Sequence, residues 1–323
     1  MQKTILVTGS AGFIGFWTSK KLMELGNRII GIDNLNDYYN PLLKEKRNEI
    51  LIKNPNYKFI KLDISDFAAL KDGVKSEKID IIVHLAAQAG VRYSLKNPQL
   101  YEMSNGIGTL NIFELAKENK IEKLIYASSS SVYGGNKKIP FSENDSVNNP
   151  VSLYAVTKRS NELLAMAYYN LYKIKSAGLR FFTVYGEFGR PDMALWTFVK
   201  NIMTDKEIEV YNHGNMERDF TYFSDIVNGI TSVLNKDFEC EIYNLGGDNP
   251  IKLSHFIELI EKYTNKQAKK KFKDMQKGDV LKTYADLSKS RKELNYYPQV
   301  KIEEGVRRFV EWFIENKEWT LKV

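Results

Sequence analysis

Short apolar segments alternate with longer amphipathic segments through the first half of the chain. The short runs are apolar on both faces, which is typical of parallel strands that are covered by helices on each side. The alternation therefore predicts an α/β fold with a doubly wound parallel sheet. The predicted strands are Thr4–Val7, Arg28–Ile32, Lys58–Leu62, Ile79–Leu85, Lys123–Ala127 and Ser176–Thr183, and the predicted helices are Phe16–Leu25, Phe67–Ser76, Leu100–Asn119 and Tyr154–Tyr172.

The regular alternation stops after Thr183. The pattern is looser from Val184 onward, with loops predicted at Tyr185–Met193 and His213–Phe220 and a mixed tail. We therefore expect a first domain over residues 1–183, to which a later segment near residues 220–245 returns. The remainder, residues 184–323, is expected to form mainly a smaller mixed α/β lobe that binds the substrate.

A glycine-rich turn follows the first predicted strand and precedes a helix, with the sequence TGSAGFIG. Gly9 permits a tight turn, Gly12 allows the backbone to approach a ligand, and Gly15 allows the helix to pack closely on the sheet. The free N–H groups at the start of the helix attract negative oxygens. This arrangement predicts a pyrophosphate site, and with it a Rossmann-like domain that binds a dinucleotide.

Further candidates lie where later strands end, because ligands of such sheets bind at the carboxyl ends of the strands. Asp33 can accept hydrogen bonds from the adenosine ribose and would repel a 2′-phosphate, which favours NAD over NADP; alternatively, it is a turn residue. Asp63 either accepts a bond from the adenine amino group or caps the next helix. The predicted cofactor residues are Gly9, Gly12, Phe13, Ile14, Gly15, Asp33, Asn34, Asp63, Ile64, Leu85, Ala86 and Ala87.

A hydroxyl cluster, a phenol and an ammonium group form a candidate proton-handling set. The cluster is in ASSSSVYG, and Tyr154 and Lys158 follow in LYAVTK. Tyr-x-x-x-Lys alone is common in helices, but here it follows a predicted dinucleotide site. Residues four apart share one helix face, so Lys158 and a cationic nicotinamide would lower the pKa of the Tyr154 phenol from its usual ~10. Tyr154 could then act as a base near neutral pH.

Composition is that of an ordinary enzyme, with 323 residues, 43% of them hydrophobic and 27% charged. The net charge of +7 is dispersed, and its sharpest run, Lys269–Lys273, is typical of a solvated edge rather than a nucleic-acid site. A lone cysteine, Cys240, excludes an internal disulfide, and the three histidines lack metal-ligand spacing. No signal segment or membrane span is evident in the sequence. We expect a cytoplasmic protein with no metal, nucleic-acid or membrane partner.

Several segments together resemble the extended short-chain dehydrogenases/reductases, and in particular the NAD-dependent nucleotide-sugar epimerases of the UDP-glucuronate 4-epimerase type. The resemblance covers essentially the whole chain. The segments that carry it are TGSAGFIG, GIDNLNDYYNPLLKEKR, HLAAQAGVRYSLKNP, SSSSVYG, SLYAVTK, LRFFTVYGEFGRPDMA and ERDFTYFSDIV.

This resemblance implies an isomerase that interconverts UDP-glucuronate and UDP-galacturonate through a 4-keto intermediate. Tyr154 would take the proton from the sugar O4 hydroxyl while the C4 hydride passes to NAD. Lys158 would hold the nicotinamide ribose, and Ser129 would bond to O4. Asn105 matches a position that supports the cofactor site, with helix packing as its alternative role.

The resemblance also implies a grip on the substrate carboxylate. Arg190 matches the family's carboxylate-binding arginine, and Thr183, Ser130 and Ser131 match the positions that complete the site. A 4-keto sugar with a C5 carboxylate is a β-keto acid, so holding the carboxylate out of alignment with the carbonyl π system suppresses loss of carbon dioxide. The alternatives are a loop salt bridge for Arg190 and strand packing for Thr183.

The UDP moiety is assigned by the same resemblance to Arg218 and to the neighbouring Ala194 and Leu195. Arg92 lies in a loop that is expected to face the substrate, although an ordinary exposed arginine is the alternative. Asp279 is also predicted to bind the substrate. Gln276-Lys277-Gly278-Asp279 departs from some relatives that act on neutral sugars and carry an arginine before Gly-Asp. One diphosphate contact of those relatives is therefore lost here unless Lys277 replaces it.

Several other functions would require different residues at these positions. A dehydratase would place Asp-Glu at Ser130-Ser131, and a UDP-glucuronate decarboxylase would place Glu at Ser131, so both are disfavoured. A 4-epimerase of a neutral UDP-sugar, such as UDP-glucose or UDP-N-acetylglucosamine, is the alternative because it would use the same triad. A non-catalytic cofactor-binding member would usually lack one triad group.

The family also implies a homodimer through the helices around Leu100–Asn119 and Ser152–Tyr172, whose apolar stripes could instead be core. It further implies a role in polysaccharide biosynthesis.

Overall fold

The computed structural model describes residues 2–276 and 278–323. Its strands are β1 (Thr4–Thr8), β2 (Arg28–Asp33), β3 (Tyr57–Lys61), β4 (Ile81–His84), β5 (Lys123–Ser129), β6 (Lys175–Phe181), β7 (Thr183–Tyr185), β8 (Glu207–Tyr211), β9 (Glu217–Tyr222), β10 (Cys240–Leu245), β11 (Pro250–Lys252) and β12 (Lys269–Lys273). Its α-helices are α1 (Phe13–Glu24), α2 (Leu42–Leu51), α3 (Phe67–Val74), α4 (Val91–Ser94), α5 (Pro98–Tyr101), α6 (Gly108–Glu118), α7 (Leu153–Tyr172), α8 (Ala194–Met203), α9 (Phe223–Asn235), α10 (Leu253–Thr264), α11 (Ser288–Leu294), α12 (Ile302–Glu315) and α13 (Lys317–Thr320).

A seven-stranded parallel sheet forms the larger layer, in the order β10-β6-β5-β4-β1-β2-β3. One apolar cluster includes Ile5 and Val7 of β1 together with α1 and α9, and another includes Leu6 of the same strand together with α3 and α6. Alternate residues of β1 thus face opposite layers, as side chains do along any strand. The predicted doubly wound α/β fold is confirmed.

A second layer is built around a separate core. A three-stranded sheet has the order β11-β9-β7, and β8 pairs in parallel with β12. Helices α8, α10 and α12 pack together over these strands, with Trp196, Phe256 and Phe309 fully buried among them. This smaller lobe is therefore mixed α/β.

Two local expectations for the second half of the chain are wrong. The run predicted as a single strand, Ser176–Thr183, is divided between β6 and β7, which belong to different sheets. The predicted loop His213–Phe220 contains the start of β9, which pairs with both β7 and β11. Strands are predicted from hydrophobic runs. β9 begins with the polar residues Glu217 and Arg218, which are only partly buried, so no hydrophobic run marks its start.

The predicted helix Leu100–Asn119 is also irregular. Helix α5 is followed by a π-helical segment, Glu102–Ile107, before α6 begins at Gly108. A π-turn inserts an extra residue and re-aims the side chains around it. Here it includes the fully buried Asn105. Later in the chain, β10 adds to the edge of the large sheet beside β6, and α9 packs on α1.

Within residues 2–276 and 278–323, no helix is long and apolar enough to cross a membrane. The same residues contain no cluster of three or more His, Cys, Asp or Glu side chains that could hold a metal ion.

A buried ion pair ties α7 to the large sheet. Arg180 on β6 donates from Nε to Oε1 of Glu162 at 2.8 Å and from Nη2 to Oε2 at 2.9 Å. Glu162 also accepts hydrogen bonds from Ser128 and Arg159. Burial is the largest effect and raises the pKa of the Glu162 carboxyl, but these donors together outweigh it and lower that pKa. The pair thus fixes the helix of Tyr154 and Lys158 against the strand that ends at Ser129.

We predict that Glu162→Gln lowers the free energy of unfolding by about 3 kcal/mol, because it leaves the Arg180 guanidinium buried without a carboxylate. Glu304→Gln, which weakens exposed pairs on α12, should cost far less, because solvent screens exposed ion pairs. Urea unfolding at pH 7 measures both. Equal losses in the two variants would contradict a special role for the buried pair.

Candidate functional site

A cleft opens at the carboxyl ends of the central strands, where the turns after β1, β2, β3, β4 and β5 meet. Every residue predicted from the strand-end pattern to bind the cofactor lines this cleft. They are Gly9, Gly12, Phe13, Ile14, Gly15, Asp33, Asn34, Asp63, Ile64, Leu85, Ala86 and Ala87. Ser129, Tyr154, Lys158 and Arg190 lie in its walls as well.

The glycine turn has the geometry of a phosphate cradle. Gly9 has a φ of +70°, and a Cβ there would lie 2.7 Å from the Ala86 nitrogen. A Cβ on Gly15 would lie 2.0 Å from the Gly9 carbonyl oxygen. Helix α1 begins directly after Gly12, and no side chain caps its first N–H groups. These groups face the cleft as hydrogen-bond donors, so the turn fits the pyrophosphate of NAD.

Asp33 and Asp63 are held by neighbouring polar groups at the edge of the same cleft. Asp33 accepts hydrogen bonds from Ala11 N at 3.2 Å and from Leu35 N at 2.9 Å, so it shapes the turn while facing the site. Asp63 accepts from Asn34 Nδ2 at 2.7 Å. Asp63 does not cap α3, because Asp66 occupies that position. Both carboxylates line the cleft, and their contacts with the ribose and the adenine stay predictions.

The triad residues converge from two elements. Ser129 ends β5, whereas Tyr154 and Lys158 lie one turn apart on α7, which Ser152 caps. The Lys158 ammonium is buried and donates to the Ala127 carbonyl at 2.8 Å. Burial lowers the pKa of Lys158 to about 8.

The protein's own groups leave Tyr154 a weak acid. Burial is the largest effect and raises the pKa of the phenol, whereas a hydrogen bond with Ser129 and the charge of Arg190 oppose it. With the protein's own groups alone, the pKa of Tyr154 is therefore raised rather than lowered, and the lowering expected from the sequence would need the positive charge of a bound nicotinamide as well.

Asn105 lies behind the cleft rather than in its wall. Its Oδ1 accepts from Gln88 N at 2.8 Å, and its Nδ2 donates to Gln88 O and to Thr157 Oγ1, each at 3.0 Å. It therefore links the loop after β4 to the helix that carries the triad. This position combines support of the site with helix packing.

Arg190 reaches the cleft with part of its guanidinium already engaged. Nε donates to Asp192 Oδ1 at 3.0 Å, Nη2 bonds to the other carboxylate oxygen, and the group lies 5.7 Å from the centre of the Tyr38 ring. Tyr38 also donates to Asp192 at 3.0 Å. Nη1 has no hydrogen-bond partner among the described residues, so this edge can still meet a ligand. The loop salt bridge considered from the sequence is thus present.

Other predicted substrate residues lie outside the main cleft. Thr183, Ala194 and Leu195 line a small adjoining pocket that shares Arg190 with the cleft. Ser130 and Ser131 form the half-buried 3₁₀ turn directly after Ser129.

A second group of charges comes together at the second lobe. Arg92 donates to Asp279 at 3.0 Å and stacks on the Tyr211 ring, 4.7 Å from its centre. Arg218 lies close enough that the charges of Asp279 and Arg92 affect its pKa, which burial lowers most strongly. Arg92 is thus a paired residue rather than an isolated one. Lys277, the candidate replacement for the missing arginine, lies outside the described residues.

Sequence reasoning missed two basic side chains of α2. Lys44 lines the cleft and donates to Asn36, and Arg47 is fully buried. A signal was present, because Leu43, Arg47 and Leu51 are spaced four residues apart and therefore share one helix face. All three are buried. Tyr38 and Asp192 carried no comparable signal, because their pairing with Arg190 joins distant segments.

The parallel sheet, the phosphate cradle and the Tyr154–Lys158 pair together define a dinucleotide-binding enzyme of the short-chain dehydrogenase/reductase type. Residues 5–246 match the model of the NAD dependent epimerase/dehydratase family. The chain belongs to this family.

The most similar relatives extend along the whole chain. An uncharacterized protein of Methanocaldococcus jannaschii is 67% identical, and 99% of each chain is covered. A UDP-glucuronate 4-epimerase of Thermodesulfobacterium geofontis is 46% identical, with 97% of each chain covered. Among solved structures, a UDP-glucuronic acid 4-epimerase from Bacillus cereus, in complex with UDP-glucuronic acid and NAD, has a TM-score of 0.91 at 35% identity. This match covers 97% of the present chain and 99% of the other.

We predict that Lys158→Met stabilises the NAD-free protein at pH 7 while abolishing turnover. Because the folded state lowers the pKa of Lys158 to about 8, folding at pH 7 must hold a desolvated ammonium. The folded protein binds this proton less tightly than the unfolded chain does, so the destabilisation that Lys158 causes is full below pH 8 and diminishes as pH rises above it.

Thermal unfolding should show a Tm that is higher by about 2 °C or more in Lys158→Met at pH 7, with a smaller difference at pH 10. Lys206→Met, at an exposed position, should change neither value. A lower Tm for Lys158→Met at pH 7 would show that the ammonium is stabilising.

Proposed function

We propose that this protein is an NAD-dependent 4-epimerase that interconverts UDP-glucuronate and UDP-galacturonate through a 4-keto intermediate. The observation that carries the proposal is the convergence of Ser129, Tyr154, Lys158 and Arg190 on the cleft that begins at the glycine turn. This cleft combines a proton-transfer set with a guanidinium beside the reacting carbon. The relatives named UDP-glucuronate 4-epimerase support the same assignment.

Each triad group has a task that follows from its surroundings. Bound NAD supplies the hydride acceptor, and returning the hydride to the other face of C4 makes the net reaction an isomerisation. Tyr154 takes the O4 proton, and its buried phenol depends on nearby positive charge to do so. Ser129 lies near enough to the phenol to lower its pKa and can bond to O4. Lys158 donates to Ala127 O and would hold the nicotinamide ribose hydroxyls with its remaining donors.

The carboxylate grip rests on Arg190 and on the hydroxyls beside it. Its Nη1 edge remains available while Asp192 holds the other side of the guanidinium in a fixed orientation. Thr183 lines the pocket that shares Arg190, and Ser130 and Ser131 form the turn after β5; these residues are proposed to supply neutral donors. A carboxylate held this way at C5 is kept out of alignment with the C4 carbonyl, which suppresses decarboxylation of the β-keto acid.

The UDP moiety is assigned to the second lobe. Arg92 and Arg218 offer positive charge for the diphosphate, and Asp279 orients Arg92. Ala194 and Leu195 begin α8 beside the pocket that Arg190 shares, so they lie between the sugar and nucleotide ends. The roles of these five residues are part of the proposal.

A 4-epimerase of a neutral UDP-sugar is the alternative. The observation that favours it is the ion pair of Arg190 with Asp192, which already satisfies much of the guanidinium without a substrate carboxylate. The two functions share the triad and differ in what Nη1 of Arg190 meets.

We predict that the NAD-loaded protein converts UDP-glucuronate, but not UDP-glucose or UDP-N-acetylglucosamine, without release of carbon dioxide. Proton NMR of parallel incubations measures this. Tyr154→Phe should abolish conversion with NAD still bound. Arg190→Ala should raise KM for UDP-glucuronate about tenfold or more and should release carbon dioxide during turnover.

Asp192→Asn is the matched control, because it removes the neighbouring charge and keeps the guanidinium. It should retain turnover of UDP-glucuronate without decarboxylation. Conversion of only the neutral sugars would overturn the uronate assignment and leave the triad chemistry standing, whereas no turnover of any of the three substrates would argue against both epimerase functions.

We also propose that the protein is a homodimer. Helices α6 and α7 pack side by side and present a joint apolar surface to solvent, with the π-helical segment continuing it. The surface consists of Met103, Ile107, Leu110, Val156, Leu163 and Met166. Spacings of three, four and seven residues place these side chains along one face of each helix. A second copy of the same pair would cover this surface as a four-helix bundle.

We predict that Leu163→Glu, at a position that is 56% exposed in the isolated chain, converts the dimer to a monomer because it would bury a charge in the bundle. Light scattering coupled to size exclusion measures the mass. Ile52→Glu, at an equally exposed apolar position beyond α2, should leave the dimer intact. A monomeric unmodified protein would contradict the proposal.

The cytoplasm as the site of action, and a polysaccharide pathway as the consumer of the product, remain predictions from the sequence.

A further inference from the structure

Arg47 is a fully buried arginine on α2 whose five N–H groups all have acceptors. Nη1 donates to Ala11 O at 2.8 Å and to Tyr39 Oη at 2.7 Å. Nε donates to Phe188 O at 3.2 Å, and Nη2 donates to Phe188 O at 2.6 Å and Gly189 O at 3.2 Å. Among the described residues, no carboxylate lies within ion-pair distance of Arg47. The guanidinium therefore acts as a fivefold donor rather than as half of a salt bridge.

The acceptors belong to three segments that are far apart in the chain. Ala11 is part of the glycine turn, Tyr39 follows β2, and the remaining two carbonyls belong to the loop between β7 and α8. That loop continues directly into Arg190. One side chain thus connects the phosphate cradle to the segment assigned to the substrate carboxylate.

The backbone of this loop is strained at Phe188 and needs hydrogen bonds to hold it there. This residue has a φ of +54°, which is unfavourable for a side chain with a Cβ. Its carbonyl accepts two of the bonds from Arg47, while its ring packs against Phe16, Trp312 and Trp319. Hydrogen bonds therefore hold the backbone of Phe188, and aromatic packing holds its side chain. Together they orient the two residues that follow, Gly189 and Arg190.

We propose that Arg47 is a positioning residue that couples the cofactor turn to the loop carrying Arg190, so that the carboxylate contact is built only when the glycine turn is in place. The proposal rests on the proposed function for the role of Arg190. A lysine cannot replace Arg47, because its donors radiate from one nitrogen and cannot span carbonyls on different segments.

The test is Arg47→Lys, with Lys46→Arg as the matched exchange on the exposed face of the same helix. Calorimetry on the NAD-loaded proteins measures the affinity for UDP-glucuronate and for UDP, which lacks the sugar. In Arg47→Lys we expect the affinity for UDP-glucuronate to fall about tenfold, with the affinity for UDP within about twofold of the unmodified protein. Lys46→Arg should change neither affinity. An equal loss for both ligands, or no loss, would overturn the proposal.

A second comparison separates positioning from general stability. Once Arg190→Ala has removed the carboxylate contact, adding Arg47→Lys should not lower the ratio of UDP-glucuronate to UDP affinity any further, because the two changes act on one contact. Full additivity would overturn the proposal. If Arg47→Lys does not fold, Tyr39→Phe removes one acceptor and should lower the same ratio to a smaller extent; an unchanged ratio would overturn it.

A fluorescence readout keeps this test independent of the proposed function. Three of the four tryptophans, Trp17, Trp312 and Trp319, pack against Phe188, and Trp196 packs against Trp312. Adding NAD to NAD-free protein should change tryptophan fluorescence in the unmodified chain, with a change at least about twofold smaller in Arg47→Lys at saturation. If the unmodified protein converts none of the three UDP-sugars, the proposed function fails, while equal fluorescence changes in both proteins would overturn the coupling.

Discussion

The site depends on the parallel pairing of the large sheet. Because β1, β2, β3, β4 and β5 run in the same direction in register, the turns at their carboxyl ends meet at one edge. The glycine turn, Asp33 and Ser129 are separated in sequence, and this shared edge brings them together in one cleft. The buried pair of Arg180 with Glu162 then ties α7 to the same sheet, so Tyr154 and Ser129 line one cleft.

The second feature of the site is its excess of buried positive charge. Lys158 donates to a carbonyl, Lys44 to the oxygens of Asn36, and Arg47 to neutral acceptors, so only Arg190 has a carboxylate partner. Burying ammonium and guanidinium groups without anions disfavours their charged forms. A dinucleotide and a UDP-sugar carry the negative charge that offsets this cost, which links ligand binding to the stability of the same groups.

The sequence predicted the parts of this structure that follow from local patterns. Apolar runs identified the strands of the large sheet, and the glycine spacing identified the turn at Gly9, because backbone and side chain determine both features locally. The division of residues 176–183 between two sheets and the polar strand β9 depend on pairing with distant segments. The same holds for the contacts of Arg47 and Asp192, since their partners are defined only once the chain has folded.

The two layers also divide the work that epimerisation requires. Hydride return to the opposite face of C4 demands that the keto sugar turn over while the nucleotide stays bound. Of the groups assigned to UDP, Arg218 lies on β9 of the second lobe, and Arg92 of α4 pairs with Asp279, whereas Tyr154 and Ser129 belong to α7 and β5 of the large-sheet layer. Binding energy at the nucleotide can thus hold the substrate while the sugar breaks and remakes its contacts. In the proposed site the substrate carboxylate contacts Nη1 of Arg190 and neutral hydroxyls. This contact can break while the sugar turns over, because Asp192 stays paired with the guanidinium of Arg190.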